Sequence, residues 1–249
     1  MSDSLFISEL FSSIQGEGML AGRRQIFVRL MECNLDCRYC DTEFKKSENG
    51  QLESKPGSGM LIHFPQPTSL HTVSAIIEDW QTQLPGAHHS VSFTGGEPLL
   101  HADALAGWFP EIRKSLPIHL ETNGTLHTAI RYVKDQVDFI SMDMKLPSTA
   151  GSAGQSWELH ARFLQEAYGG NLSVKVVVGE STPASEIRQV CDLIAAVDDS
   201  VPLFLQPLTM PGGSIGITAA HLLHLQEIAS SRLSDVRVIP QMHKLLGAL

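Results

Sequence analysis

Cys33-Asn34-Leu35-Asp36-Cys37-Arg38-Tyr39-Cys40 gathers three of the chain's four cysteines within eight residues. The spacing C-x3-C-x2-C lets three thiolates hold one face of a cubic [4Fe–4S] cluster. A cluster ligated wholly by protein takes four cysteines, so the fourth iron would stay open to a small molecule. Zinc is the competing reading, because clustered cysteines in an intracellular chain often bind it. A structural zinc site wants four ligands, usually in two pairs. His63 and His71, the nearest histidines downstream, are too loosely spaced to supply them. A disulfide would leave one thiol over and needs an oxidising compartment. Ligand counting favours the open cluster.

Other residues could do chemistry as well. Gly95-Gly96-Glu97-Pro98 follows the strand-like Val91-Ser92-Phe93-Thr94, and a sharp glycine turn there would expose backbone groups to a ligand. Ile14-Gln15-Gly16-Glu17-Gly18 sets a carboxylate between two glycines. That string allows close backbone approach, though such strings also make plain surface turns. Arg29 interrupts an apolar stretch, and a bidentate carboxylate partner is its natural role. Asp41 and Thr42 follow the third cysteine directly. Their oxygens suit Mg²⁺ and equally suit a turn.

The cysteine loop, with Tyr39 before its last cysteine, and the Gly-Gly-Glu-Pro turn at a strand end together resemble the radical S-adenosylmethionine (SAM) enzymes. In that family the amino and carboxylate groups of SAM chelate the open iron. One electron then splits SAM into methionine and a 5′-deoxyadenosyl radical. The resemblance implies that Cys33, Cys37 and Cys40 carry the [4Fe–4S] cluster. It implies that Gly95, Gly96 and Glu97 meet the SAM amino group and that Tyr39 lies by the adenine. Ser141, Asp143 and Lys145 fit the ribose and carboxylate contacts, with Asn123 and Gln206 as further SAM contacts. It also implies a flavodoxin- or ferredoxin-type electron donor and a homodimer.

Four pieces carry a finer resemblance, to the 7-carboxy-7-deazaguanine synthase family of deazapurine and queuosine biosynthesis. They are Ile14–Gly18, the Cys33–Cys40 motif with Asp41-Thr42, Thr94–Pro98, and Gln241-Met242-His243-Lys244. The resemblance implies that Ile14, Gln15, Gly16, Glu17 and Arg29 hold a pterin and that Thr94 touches it. Thr42 would bind Mg²⁺. His243 and the terminal carboxylate of Leu249 would close the site from a tail spanning 240–249. The implied reaction contracts 6-carboxy-5,6,7,8-tetrahydropterin to 7-carboxy-7-deazaguanine with loss of ammonia. Asp143-Met144-Lys145 also resembles other radical SAM branches. An activase of a glycyl radical enzyme and a non-enzymatic metal-binding module are the alternatives.

The rest of the chain must position these groups. Apolar residues make up 43% of the 249, and the mean hydropathy is 0.00, as in an ordinary soluble globule. The length suits one large α/β domain covering 1–249. A net charge of −9 argues against broad nucleic-acid binding. Met1-Ser2-Asp3-Ser4 lacks a basic leader and no long apolar run follows, so neither a signal peptide nor a membrane span is expected, and the expected location is cytoplasmic. Gln25–Met31 alternates, with Ile26, Val28 and Leu30 on one face and Phe27, Arg29 and Met31 on the other. It reads as a strand delivering the chain to Cys33.

Residues 43–69 carry Asn49-Gly50, Pro56-Gly57 and Pro65-Gln66-Pro67 and read as an irregular lid or insertion beside the cluster. Val73, Ile76, Ile77, Trp80 and Leu84 recur at helical spacing, capped near Thr68 or Ser69. A second helix is expected from Ala102, and a third, capped by Ser181-Thr182-Pro183, carries Ile187, Val190, Cys191 and Ile194 on one stripe. Cys191 is therefore expected to be a core hydrophobe. Strands and helices alternate, and polar groups recur at strand ends. That pattern predicts an α/β fold with a parallel sheet and ligands at its carboxyl edge. The resemblance sharpens it to a partial TIM-like β/α barrel of the radical SAM type with about six parallel strands.

Overall fold

The structure, a computed structural model, describes residues 4–40 and 47–249. Strands β1 (Ser4–Leu5), β2 (Ile7–Ile14), β3 (Arg24–Leu30), β4 (Asn49–Glu53), β5 (Leu61–Pro65) and β6 (Thr68–Ser69) precede helix α1 (Leu70–Gln83). Alternation then begins: β7 (Ser90–Gly95), α2 (Ala102–Ile112), β8 (Ile118–Thr122), β9 (Phe139–Asp143), α3 (Pro147–Ala150) and α4 (Trp157–Ala167). It continues with β10 (Leu172–Val178), α5 (Ala184–Ala195), β11 (Leu203–Pro207), α6 (Ala219–Ser230), β12 (Val236–Val238) and α7 (Met242–Leu246).

Ten strands form one sheet in the order β12-β11-β10-β9-β8-β7-β3-β2-β4-β5, while β1 and β6 make a small separate ribbon. Seven neighbours, β3 and β7 to β12, run parallel. β2 is antiparallel to β3. The two outer strands of the sheet, β12 and β5, do not pair with each other, so the barrel is left open. The parallel part matches the sequence expectation of an incomplete barrel, and the antiparallel extension adds to it.

Each parallel strand is two-faced. On β3, Ile26, Val28 and Leu30 are fully buried under the helical layer, while Phe27 and Arg29 turn to the cavity inside. This is the period-two pattern of a strand with two different environments. The apolar stripe of α1 buries Val73, Ile77 and Trp80, and the Ser69 hydroxyl caps it by accepting from Thr72 N–H at 3.2 Å.

Three sequence expectations change. The segment 43–69, so far as it is described, is not irregular: β4 and β5 form an antiparallel hairpin that extends the main sheet beside β2 and borders the cavity described below. Its organiser is Glu53, buried, whose carboxylate accepts from Ser12 N–H at 2.9 Å, Gly57 N–H at 3.0 Å and Gly59 N–H at 2.6 Å. Those bonds turn a Gly/Pro-rich stretch into a defined loop. At α5, Pro183 stands at the N-cap with no side-chain cap; the Thr182 hydroxyl instead accepts from Gly179 N–H at 3.0 Å. Finally, α4 is a helix that sequence reading passed over, although His160, Phe163, Leu164 and Ala167 are buried along one face.

No helix among the described residues is long and apolar enough to cross a membrane. Cys191 is fully buried on α5 with Ile187, Val190 and Ile194, and burial pushes its thiol up to about 11. Cys191→Ala is expected to leave iron per chain unchanged after anaerobic reconstitution. It should lower unfolding stability by about 1 kcal/mol in urea titrations, as for loss of one small buried group.

Candidate active site

The site is built on a junction of backbone. β3 and β7 pair in parallel up to Leu30 opposite Gly95. The pairing then outlasts both strands: Gly96 N–H donates to Leu30 O at 3.0 Å and Glu97 N–H to Glu32 O at 2.8 Å. The cysteine loop therefore leaves β3 already laced to the glycine turn. The lacing is tight. Gly95 has φ +120°, and a Cβ on Gly96 would run into the carbonyl oxygen of Glu32. Glu32 itself sits at φ 71°, an uncommon position for a residue with a side chain, and directs the chain into Cys33.

A cavity of about 930 Å³ opens at the carboxyl ends of the strands, lined from β2 round to β11 and by the C-terminal segment. Cys33, Cys37 and Cys40 all border it, and none is in a disulfide. Burial raises the thiols of Cys33 and Cys37, the latter to about 11, so a metal must displace their protons on binding. Asn123 steadies this loop: its Nδ2 donates to Asn34 Oδ1 at 2.8 Å and lies 4.0 Å from Cys33 Sγ. Asn34 in turn donates to Thr125 Oγ1 at 2.9 Å.

Next to the cysteines, a chain of buried charges crosses the wall. Lys145 Nζ donates to Tyr39 OH at 3.0 Å and lies 2.8 Å from Asp143 Oδ2. Lys175 Nζ also lies 2.8 Å from Asp143 Oδ2 and pairs with Glu17 Oε2. The other Glu17 oxygen accepts from Gln206 Nε2 at 3.2 Å and from Gln241 Nε2 at 2.7 Å. Burial alone would raise the Asp143 carboxyl, but Lys145 and Lys175 overturn it and hold it down to about 2. Burial opposes the charge of both lysines too, yet Asp143 raises them further, helped by Tyr39 at Lys145 and Glu17 at Lys175. The four charges are thus kept ionised together.

The opposite half of the cavity is flatter. Phe11 and Phe27 stack with centroids 5.0 Å apart and planes 9° from parallel. Arg29 lies 5.6 Å over the Phe11 ring and 2.7 Å from Glu9 Oε2. Beside them, Glu121 Oε1 accepts from Gln15 Nε2 at 3.0 Å and Ser92 Oγ at 2.6 Å. Deeper still, His119 bridges Ser92 Oγ at 3.2 Å and Ser141 Oγ at 2.8 Å. An aromatic slab bordered by a guanidinium and by amide and carboxylate groups suits a planar, polar-edged heterocycle carrying a carboxylate. The tail closes over this half. Met242 N–H donates to Gly16 O at 3.0 Å, and His243 packs so closely on Gly16 that no Cβ would fit there.

Most residues singled out from sequence meet in this one cavity. Ile14, Gln15, Gly16, Glu17, Arg29 and Thr94 line the flat half with His243 and Leu249. Tyr39, Gly95, Gly96, Asn123, Ser141, Asp143, Lys145 and Gln206 line it with the cysteines. Glu97, implied at the SAM amino group, is fully buried and does not itself line the cavity; it lies just behind Thr122 and Asn123, which do. Its carboxylate accepts from Leu99 N–H at 3.0 Å, Thr122 Oγ1 at 2.8 Å and Asn123 N–H at 2.7 Å. Burial raises it to about 7 against those bonds. It ties the ends of β7 and β8 together. Thr42, expected at Mg²⁺, lies outside the described residues. Sequence reading missed Lys175 and Phe11, and assigned no role to Glu121 or Gln241. Lys175 did leave a signal: it is the lone charge in the β-branched run Leu172–Val178.

The residues fit the groups that the sequence implied. Three thiols of one loop face a shared space, each able to take a different iron of a cluster. Asp143 Oδ1 and Gln206 Oε1 are buried acceptors without a partner, and both residues border the cavity. A ligand bearing hydroxyl and amino donors, as SAM does, would satisfy them. Gly96→Ala is expected to displace the cysteine loop. Iron and sulfide retained after anaerobic reconstitution and desalting should fall at least threefold, with the circular dichroism of the fold preserved.

Comparison with known proteins agrees with this geometry. The profile of the Radical SAM superfamily matches residues 30–178. The chain is 46% identical to 7-carboxy-7-deazaguanine synthase of Geobacter sulfurreducens, over 98% of this chain and 97% of that protein. It is 36% identical to the protein of the same name from Methanothermobacter thermautotrophicus, over 97% and 96% of the two. Its fold is similar to the crystal structure of QueE from Escherichia coli, with a TM-score of 0.58 and 22% identity over 96% of this chain and 94% of that one. With a superfamily profile over more than half of the chain and such identity along nearly its whole length, the chain belongs to the radical SAM superfamily and, within it, to the 7-carboxy-7-deazaguanine synthase family.

Proposed function

We propose that this chain converts 6-carboxy-5,6,7,8-tetrahydropterin to 7-carboxy-7-deazaguanine with release of ammonia, using a [4Fe–4S] cluster, SAM and Mg²⁺. One observation carries the reading. A single cavity joins the three-cysteine loop to a stacked aromatic slab with a guanidinium above it. Radical chemistry and a flat carboxylate-bearing ring would thus share one chamber, closed by the tail.

When bound, the reduced cluster and SAM supply hydrogen abstraction from a substrate carbon, chemistry no side chain here can perform. The chain's own residues position and enclose. Cys33, Cys37 and Cys40 would hold the cluster, leaving one iron for SAM. Lys145 meets a carboxylate as an ammonium held charged by Asp143. Arg29 exchanges its contact with Glu9 for the substrate carboxylate, a charge-assisted pairing of the stronger kind. The stacked Phe11 and Phe27 back this half of the cavity as an apolar wall, and Gln15 and Glu121 would meet the polar edge of the ring. Thr42, following the cluster loop, is the candidate Mg²⁺ ligand; bound there, the ion would supply charge stabilisation beside the substrate carboxylate. His243 and Leu249 exclude water from above.

A flavodoxin- or ferredoxin-type protein as electron donor, and a homodimer, belong to the same proposal. The glycyl radical activase reading has less behind it, because the tail segment lies on the Gly16 loop, where a partner's loop would have to enter.

Anaerobic incubation with dithionite, SAM, Mg²⁺ and the pterin should yield the deazapurine mass and one ammonia per product. Its absence, with intact cluster spectra, would reject the assignment. Arg29→Gln should raise KM for the pterin roughly tenfold to a hundredfold, the loss of one charged hydrogen bond of about 1.5–3 kcal/mol. Thr42→Ala should weaken the dependence of rate on Mg²⁺ while iron content stays constant.

A further inference from the structure

The charge chain has a property that its single members do not. Asp143 Oδ2 is shared by two ammonium groups, each 2.8 Å away. Lys175 is shared in turn, between Asp143 and Glu17. Its two carboxylate partners and Lys145 are each under one-fifth exposed. In so dry a wall, a change at one member is felt by the next with little screening. The two ends of the chain face different ligands. Lys145 and Tyr39 adjoin the cysteine loop, and Glu17 belongs to the glycine-bracketed loop beneath the tail.

We propose that Lys175 is a positioning residue that couples cofactor binding to substrate binding by dividing its ammonium between Asp143 and Glu17. The inference rests on the reaction read above. A carboxylate arriving at Lys145 from the cofactor side draws that ammonium from Asp143. Asp143 then holds Lys175 more strongly, and Glu17 is released to accept from N–H donors of a ring in the flat half of the cavity. From the other side, ring N–H donors on Glu17 shift Lys175 toward Asp143, and Lys145 is released for the carboxylate. Both ligands move the same ammonium in the same direction. Each must therefore tighten the other, and by the same factor.

Two further features make the shift affordable. Gln206 and Gln241 both donate to Glu17 Oε1, so the carboxylate is never left bare when Lys175 moves away. Without them, a buried unpaired carboxylate would forbid the rearrangement. Asp143 Oδ1 has no partner, so Asp143 has an acceptor in reserve for Lys175 or for the ligand.

The test is equilibrium titration of the cluster-loaded protein, with the cluster left oxidised so that no turnover occurs. SAM is titrated by calorimetry with and without saturating pterin, and the reverse titration is run as a check. The native protein is expected to bind SAM about 5- to 50-fold more tightly when the pterin is present. In K175M the factor should fall to within twofold of one, and K175R should restore most of it. K175M strands Glu17, so E17Q/K175M removes both charges together. It should also lose the factor while its circular dichroism and iron content match the native protein. A factor retained in either variant overturns the proposal, as does a native factor of one with both ligands bound. A native protein that binds SAM but not the pterin overturns the reading of the reaction, and the coupling with it.

Discussion

The chamber depends on a backbone seat: the glycine turn after β7 lies directly against the root of the cysteine loop. Hydrogen bonding continues past the ends of β3 and β7, through Gly96 to Leu30 and Glu97 to Glu32. A side chain at position 96 would collide with the Glu32 carbonyl. Close approach of this sort needs glycine, because any Cβ would separate the two segments. Glu97 then fastens the turn to the next strand by accepting three hydrogen bonds in a fully buried site. The cysteine loop, the proposed seat of the cluster, is thereby fixed at its root by two strands and a buried carboxylate.

The inside of the barrel is unusual for a core. Apolar side chains fill the outer face of each strand, but the inner face carries Gln25, Ser92, His119, Glu121, Asp143 and Lys175. Burying charge is costly unless it is paired and hydrogen-bonded. Here the cost is met by alternation of sign, Lys145–Asp143–Lys175–Glu17, with amides at one end and a phenol at the other. Such an arrangement adds little to stability over an apolar core of equal volume. Its value is in holding fixed charges at fixed points where water is scarce, which is where electrostatic positioning acts most strongly.

The hairpin at 49–65 and the C-terminal segment both contribute to the closed side. The β4–β5 hairpin extends the sheet on one side, held by Glu53, and the tail lies on the Gly16 loop on the other. The open barrel therefore leaves one side of the cavity to short, local elements. They are anchored by a few specific hydrogen bonds, and a few such bonds are what a site that must admit and release ligands can use.

Much of this was legible in the residues. The cysteine spacing, the Gly-Gly-Glu-Pro turn and the alternation of β3 were local signals, because metal ligation, sharp turns and period-two burial each act over a few residues. With the alternation of strands and helices they sufficed for the α/β class, and the barrel and most of the cavity lining followed from the family resemblance that the motifs carry. A carboxylate in a motif such as Glu97 looks the same from sequence whether it points to a ligand or into the core, and the pairing of β7 with β8 is what buries it behind Thr122 and Asn123. The hairpin at 49–65 was hidden because its Gly and Pro residues read as loop, while its organiser Glu53 works through Ser12, forty-one residues away. Lys175 gained its meaning from Asp143 on the neighbouring strand and Glu17 near the start of the chain. The sequence by itself determined which groups could do chemistry. The tertiary structure decided which of them share an ion, because a charge's partners are set by distances across the sheet that no local pattern encodes.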